Sequence, residues 1–246
     1  SLVSQGFSEV INYSFISEED ERIFGESKPM VEVENPISQN MRFMRSSLFP
    51  GLINTFIHNF NNGMESQKLF EIGSVFTQKK SSSPSEKTRV SGLIFGDAAP
   101  NHWLYKTRKV TFYDIKGVVE EMLLNFDLSV NFEPKSRYFF HPGISSTIYN
   151  NTKEIGLLGA LSPETLDEIG IKQDIFLFSV DIDALEIKPK PKFKKFSKFP
   201  SSQRDLSFVV HKDITSNALS AVIINKGGKD LNDLELFDVY EGKGID

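Results

Sequence analysis

The sequence predicts an α+β fold, in which helices flank an antiparallel sheet and a short second domain follows. Strand-like segments succeed one another through hairpin turns, and helices interrupt them without the regular strand–helix alternation of a parallel sheet. A segment rich in lysine and proline at residues 188–200 has the composition of an extended linker. We therefore expect a sheet domain at residues 1–187 and a smaller domain at residues 201–246.

The composition describes an ordinary globular protein, with 39% hydrophobic and 25% charged residues in a chain of 246. The chain has no cysteine, which excludes disulfides and thiolate metal sites. No apolar run approaches the ~18–20 residues of a membrane span, so we expect a cytoplasmic protein with no membrane contact. The sequence lacks an initiator methionine and begins inside an amphipathic pattern, which we interpret as a fragment.

A heavily apolar helix is predicted for Leu48–Phe60. Ser46 and Ser47 can cap its start, Pro50 fits its first turn, and residues 61–63 (Asn-Asn-Gly) supply the stop. Its apolar positions are more than one face needs to cover a sheet. We therefore expect another chain to contact part of this helix, unless both of its faces are covered within the fold. The expected contact residues are Leu52, Phe56, Ile57 and Phe60.

The other elements follow from apolar periodicity and from turn residues. Strands are predicted near residues 69–76, 89–96, 129–133, 145–150, 154–161 and 175–182, and helices near residues 112–126 and 162–170. A polar hairpin tip is predicted at residues 79–87 and an irregular connection at residues 97–108. In the second domain, the pattern predicts a strand at Asp205–His211, a helix at Ser216–Asn225 and a strand at Leu234–Tyr240.

No residue pattern indicates a catalytic or metal site. None of the four histidines pairs with another at ligand spacing. His58 is expected to be half-buried or on the surface of a helix, His102 in a loop, and His141 beside a Pro-Gly turn. Hydrolase, phosphate-loop and dinucleotide motifs are absent. Phenylalanines alternate with lysines in the linker, which fits either nucleic-acid binding or, more simply, a solvated linker.

A series of short motifs extends over nearly the whole chain: NPIS (35–38), MRSSL (44–48), PGL (50–52), LFEIGSVF (69–76), RVSGLIFG (89–96), FYDIKGVVE (112–120), FHPG (140–143), FPSSQRDLSFVV (199–210) and LFDVYEGKGI (236–245). In this order, the motifs resemble those of the β chain of bacterial phenylalanyl-tRNA synthetase. One departure is Ile144, because the family usually has arginine after FHPG.

The resemblance implies a class II aminoacyl-tRNA synthetase-like sheet domain in an (αβ)₂ enzyme that attaches phenylalanine to its tRNA using ATP and Mg²⁺. It implies that the α chain carries the active site, and that this chain packs against α and helps to place tRNA. We expect tRNA contacts from Lys194, Lys195, Lys198 and Arg204, which lie within a stretch (186–212) of eight basic and two acidic residues.

The resemblance also implies that this sheet domain has lost its chemistry. Catalytic class II domains hold ATP phosphates with arginines in two motifs, because guanidinium groups offset charge that builds on phosphate. Thr77 and Gln78 stand at the first such position, and Ala184 at the second. Ser179 and Asp181 replace the glycines at which backbone must approach ATP. We therefore expect no catalytic residue, cofactor or metal site in this chain.

The last residues resemble the start of a ferredoxin-like anticodon-binding domain, with the order β-α-β-β-α-β. This sequence supplies the first three elements of that order, so we expect their strands to pair with a second copy. An alternative to the subunit interpretation remains: a free-standing relative with the same fold that binds a small molecule or a single-stranded nucleic acid.

Overall fold

The computed structural model describes residues 1–25, 29–78, 83–100, 102–124, 126, 128–185 and 200–240. The chain divides into two compact units, Ser1–Pro191 and Lys192–Asp246. The strands in the described residues are β1 (Ser8–Glu9), β2 (Phe15–Ile16), β3 (Val31–Glu32), β4 (Phe43–Met44), β5 (Gln67–Thr77), β6 (Ser85–Phe95), β7 (Val130–Pro134), β8 (Phe140–Asn150), β9 (Lys153–Leu161) and β10 (Ile175–Asp181). The α-helices there are α1 (Glu18–Phe24), α2 (Phe49–Asn61), α3 (Phe112–Leu123), α4 (Pro163–Glu168) and α5 (Ser216–Gly227).

A seven-stranded sheet dominates the first unit, in the order β1-β5-β6-β10-β9-β8-β7. All its neighbouring strands are antiparallel except β1, which forms a two-residue parallel pair with β5. A small sheet of β2, β4 and β3 is formed by residues that lie between β1 and β5 in the sequence. The predicted antiparallel α+β fold is confirmed. Within the described residues, no helix is both long and apolar enough to cross a membrane.

Two apolar clusters hold helices on the sheet, one on each face. The cluster under α2 contains Phe56 and Phe95, whose ring centroids lie 4.8 Å apart. The cluster under α3 contains Val119 and Phe178. This arrangement follows from the two-residue alternation of strand side chains, which sends successive residues to opposite faces.

Helix α2 agrees with its predicted range, but its apolar surface is covered within the chain. Leu52 and Phe56 are fully buried, while Ile57 and Phe60 are half-buried against the same apolar cluster. The exposed side chains of this helix are polar. The described residues thus agree with the alternative that the fold itself covers both faces of α2, and contact of another chain with Leu52, Phe56, Ile57 and Phe60 stays a prediction.

Strand β8 begins at Phe140, five residues before its predicted start, so FHPG lies in the strand instead of a turn. Its pairing with β9 is irregular between Phe140 and Ser145. The buried rings of Phe139 and Phe140 fix this segment in the core, at 4.6 Å from each other. Burial of the aromatic rings therefore outweighs the turn preference of Pro-Gly.

In the second unit, α5 forms as predicted, and Thr215 Oγ1 accepts a hydrogen bond from the Ala218 backbone at its start, at 3.2 Å. The predicted strands Asp205–His211 and Leu234–Tyr240 are not formed in the described residues. In the β-α-β-β-α-β order these two strands are not neighbours, and the third strand normally lies between them. The described residues of this unit contain no third strand. Pairing with a second copy stays a prediction.

Candidate functional site

A polar cluster lies on the face of the sheet that also carries α2, on strands β5, β6 and β10. The register puts Glu71 of β5 opposite Ser91 of β6, and Ser91 opposite Ser179 of β10. All three residues are buried, and Ser91 Oγ donates a hydrogen bond to Ser179 Oγ at 2.8 Å. Leucines two residues away on each strand lie in the apolar cluster under α2: Leu69, Leu93 and Leu177. The face thus changes from apolar to polar along the strands.

Arg45 completes this polar cluster, which we define as Arg45, Glu71, Ser91 and Ser179. Its Nη1 lies 2.7 Å from Glu71 Oε1, and its Nε donates to the Ser74 carbonyl at 3.0 Å. The two side chains of the ion pair are only 4% and 3% exposed. Removing water from both charges makes mutual pairing obligatory, because an unpaired buried charge is costly.

Neighbouring segments tie this ion pair to the rest of the domain. Asn12 Nδ2 donates to Glu71 Oε2 at 2.7 Å, and Thr55 Oγ1 on α2 donates to Asn12 Oδ1 at 2.8 Å. Gly73 makes room for the guanidinium, since a Cβ there would lie 2.4 Å from Arg45 Nη2. The buried Leu48 also lies against Gly73. The cluster is therefore closed by the chain's own side chains.

Asp181, at the end of β10, is neutralised in the same way. Lys87 Nζ lies 2.7 Å from Asp181 Oδ2, and the backbone N–H of Asp183 donates to Asp181 Oδ1 at 3.1 Å. Ala184, where the resemblance looks for an arginine, packs against the apolar cluster under α3. Arg45 and Lys87 are thus each paired with a carboxylate.

The histidines do not assemble with one another into a catalytic or metal site. His58 is exposed on α2, as expected, and His141 Nδ1 accepts from the Gly143 backbone at 3.1 Å. His102 stacks on Tyr105, with 4.5 Å between the ring centroids. Among the residues that the structure describes, no group of three or more His, Cys, Asp or Glu side chains could hold a metal ion.

The predicted tRNA contacts fall in the less described part of the chain. Arg204 is exposed in the second unit. Lys194, Lys195 and Lys198 lie outside the described residues. Their role in binding tRNA stays a prediction.

Sequence reasoning missed the Arg45–Glu71 pair, although both residues lie in the motifs quoted above. The available signal was an arginine in MRSSL and a glutamate in LFEIG, each next to one residue that is buried, Ser46 and Phe70. Charged residues in such surroundings require a partner. The sequence could not show that these two, 26 positions apart, are each other's partner.

The fold is that of an aminoacyl-tRNA synthetase domain. The structure of Desulfitobacterium hafniense PylSc, a pyrrolysyl tRNA synthetase, matches with a TM-score of 0.50 over 74% of this chain and 60% of that chain. The two sequences are 13% identical, so the match concerns the fold alone.

The family is specified by the sequence comparisons. Residues 1–182 match the family model of the phenylalanyl tRNA synthetase beta chain CLM domain, and residues 197–246 match the ferredoxin-fold anticodon binding domain. The chain belongs to the phenylalanyl-tRNA synthetase beta chain family.

Curated relatives agree with this assignment. Phenylalanine–tRNA ligase beta subunits of Pseudomonas fluorescens (strain Pf0-1) and Pseudoalteromonas translucida are each 36% identical over 100% of this chain. The beta subunit of Legionella pneumophila (strain Paris) is 35% identical over 98% of it. The chain spans 31% of the length of these relatives.

Proposed function

We propose that this chain acts as a noncatalytic part of a phenylalanine–tRNA ligase beta subunit. In this proposal, a catalytic alpha chain uses ATP and Mg²⁺ to attach phenylalanine to its tRNA, within an (αβ)₂ assembly in the cytoplasm. Residues 1–187 pack against the alpha chain. Residues 201–246, which follow the linker at 188–200, help to place tRNA. The family membership of the chain supports this role.

The observation that carries the noncatalytic part is the closed polar cluster. A nucleotide site stabilises developing phosphate charge with cations that are preorganised and free to bind it. Here Arg45 is paired with Glu71, and Lys87 with Asp181. An ATP phosphate would have to displace a buried carboxylate to reach Arg45. The sheet therefore serves as a scaffold and not as an adenylation site.

The tRNA part of the proposal rests on the second unit and the linker. The match to an anticodon-binding domain covers residues 197–246. We assign backbone contacts on tRNA to Lys194, Lys195, Lys198 and Arg204, since lysine and arginine neutralise phosphate. Replacing these four residues by glutamine should weaken tRNA binding and reduce its salt dependence, as measured by filter binding over a range of salt concentrations.

The first test is whether the chain alone forms phenylalanyl-adenylate. We expect no phenylalanine-dependent pyrophosphate exchange above a blank without protein. Losing one preorganised charge of this kind costs on the order of 3–4 kcal/mol in the barrier, and Thr77–Gln78 and Ala184 replace two of them. The protein must be shown free of host synthetase.

A positive control is the same assay with a complete alpha and beta enzyme. Exchange by the chain alone would contradict the noncatalytic role. Failure to co-purify with the alpha chain would contradict the subunit role. Salt-dependent binding to arbitrary single strands, without alpha-chain binding, would instead favour a free-standing nucleic-acid-binding relative.

A further inference from the structure

A cavity of about 310 Å³ lies on the α3 side of the sheet, and its described lining includes no residue of the polar cluster. Pockets that hold small molecules range over about 300–1,000 Å³, so this volume suits a small ligand. The wall combines the apolar residues Ile94, Val110 and Val118 with polar residues, among them Gln5 and Lys68. The cavity is therefore apolar on one side and able to donate hydrogen bonds on another.

The register of the sheet explains why a lysine lies in this wall. Lys68 of β5 stands directly opposite Ile94 of β6, so the two side chains project from the same face of the sheet. Ile94 belongs to the apolar cluster under α3. Lys68 is partly buried on this face. Its ammonium is thus held beside apolar surface and is only partly in contact with water.

The Lys68 ammonium has little within the described chain to balance its charge. Its Nζ donates to the Gln5 backbone carbonyl at 3.4 Å, which is long for a hydrogen bond. No carboxylate of the described residues forms an ion pair with it. An ammonium has three donors, and removing it from water without an anion is unfavourable. The position therefore favours an anionic ligand.

Asp114 also lines the cavity, but its charge is already balanced. Arg108 donates to both of its carboxylate oxygens, at 2.6 and 2.7 Å. The backbone N–H and the hydroxyl of Thr111 add hydrogen bonds at 2.7 and 2.8 Å. The charge that remains for a ligand on the described wall is that of Lys68.

Gln5 supplies a further donor at the same end of the cavity. Its carbonyl is the group that Lys68 contacts, and its side-chain Nε2 is buried without a hydrogen-bond partner in the described residues. Buried amide donors are almost always paired, because a donor without an acceptor is costly. An acceptor group with two oxygens would serve both donors, and an ionised carboxylate has this form.

Gly117 keeps space open on the opposite wall. It stands in the middle of α3, where glycine is unfavourable because it loses the most conformational freedom. A Cβ at this position would meet no atom within 4 Å, so packing within the described chain does not require glycine. Since Gly117 lines the cavity, a larger side chain here would take up part of its volume.

We propose that this cavity binds a small monocarboxylate with a compact apolar body. The carboxylate accepts hydrogen bonds from the Lys68 ammonium and the Gln5 amide, and the apolar body packs against Ile94, Val110 and Val118. An inorganic phosphate is disfavoured, because it has no apolar part to cover this wall. The site is separate from the subunit and tRNA roles proposed above, and the proposal does not depend on them.

The probe is benzoate, and its matched control is benzamide, which keeps the ring and the planar head but carries no charge. Binding to the full chain, labelled with nitrogen-15, is followed by NMR at the backbone amides of Gly117 and Ile94. We expect benzoate to shift both signals to saturation with a Kd of about 1–10 mM, as its small number of atoms allows. Benzamide should bind at least about tenfold more weakly, because hydrogen bonds to charged groups are the stronger ones.

Two variants test the wall, each with a matched control. Lys68→Met removes the cation, and Lys153→Met makes the same change at the exposed start of β9. Gly117→Leu fills the space at α3, and Asn54→Leu adds the same side chain at an exposed position of α2. We expect both wall variants to raise the Kd of benzoate at least about tenfold, read at the Ile94 amide, and both controls to bind like the wild type. The unfolding temperature of Gly117→Leu should stay the same or rise, because leucine favours helix and enters open space.

The proposal is overturned if benzoate gives no saturable shift, or if benzamide or inorganic phosphate binds as tightly as benzoate. Wild-type affinity in either wall variant would also overturn it, as would an equal loss of affinity in the controls. A large drop in the unfolding temperature of Gly117→Leu would mean that the chain itself fills the space, which again removes the site. None of these results bears on the proposed function, which is tested by other measurements.

Discussion

The buried Arg45–Glu71 pair gives the sharpest prediction for stability. Arg45→Met keeps an unbranched side chain but removes the charge and the donors that contact Glu71 and the Ser74 carbonyl. Glu71 then remains buried as a carboxylate without its cation. The change therefore tests whether this pair is essential to the packing of the sheet face.

The magnitude follows from the geometry of the pair. Removing one partner of a buried ion pair costs about 3–5 kcal/mol. Asn12 still donates to Glu71 at 2.7 Å after the change, so we expect about 3 kcal/mol, the lower end of that range. For a domain of this size, that corresponds to a fall in unfolding temperature of about 6–12 °C.

The chain offers a matched control three residues away. Arg42 pairs with Glu32 at 2.7 Å, but both side chains are about half exposed. Arg42→Met should cost at most about 1 kcal/mol, because exposed pairs contribute little. Urea unfolding of both variants, followed by circular dichroism, compares the two losses. Equal losses would refute the assignment of Arg45 as a buried structural cation.

The remaining predictions concern acid stability, a buried hydroxyl and the second unit. A hydrogen bond from Arg108 holds the pKa of Asp114 below its ordinary value of 3.8. The ionised carboxylate therefore stabilises the fold above that pH, and this stabilisation is lost as pH falls toward the folded pKa. Asp114→Asn should reduce the loss of stability between pH 6 and pH 3 in urea titrations.

Thr147 Oγ1 is fully buried without a partner in the described residues, so Thr147→Val should stabilise by about 1 kcal/mol in the same assay; destabilisation would reveal a hidden partner. The second unit exposes apolar side chains in the segments Asp205–His211 and Leu234–Tyr240, so we expect copies of the chain to associate through them. Phe208→Glu places a charge in the first segment and should therefore raise the fraction of monomer measured by analytical ultracentrifugation.

Periodicity predicted the elements whose structure depends on local pattern. The α2 range and the strands near residues 89–96, 154–161 and 175–182 follow from apolar spacing and from the residues that end each element. The sheet class followed from hairpin connections without helical alternation. These features are encoded within a few residues of one another, which is why the sequence alone was sufficient.

Features that depend on distant residues were not predictable in this way. Spacing showed that α2 is apolar, but not how many segments would cover it. The parallel pair of β1 with β5 joins residues 61 positions apart, from Ser8 to Leu69. Strand propensity at Asp205–His211 was insufficient without a neighbouring strand, because backbone pairing is a property of two segments and not of one.

In the noncatalytic role that we propose, the absence of two arginines is not the only difference from a phosphate site. Ala184→Arg would remove a small residue from the apolar cluster under α3 and bring a charge to its edge. Asp181 would still hold Lys87, and Glu71 would still hold Arg45. A phosphate would have to displace Glu71 or Asp181 to reach either cation. The carboxylates on this face thus occupy its cations Arg45 and Lys87, which supports the proposed scaffold role.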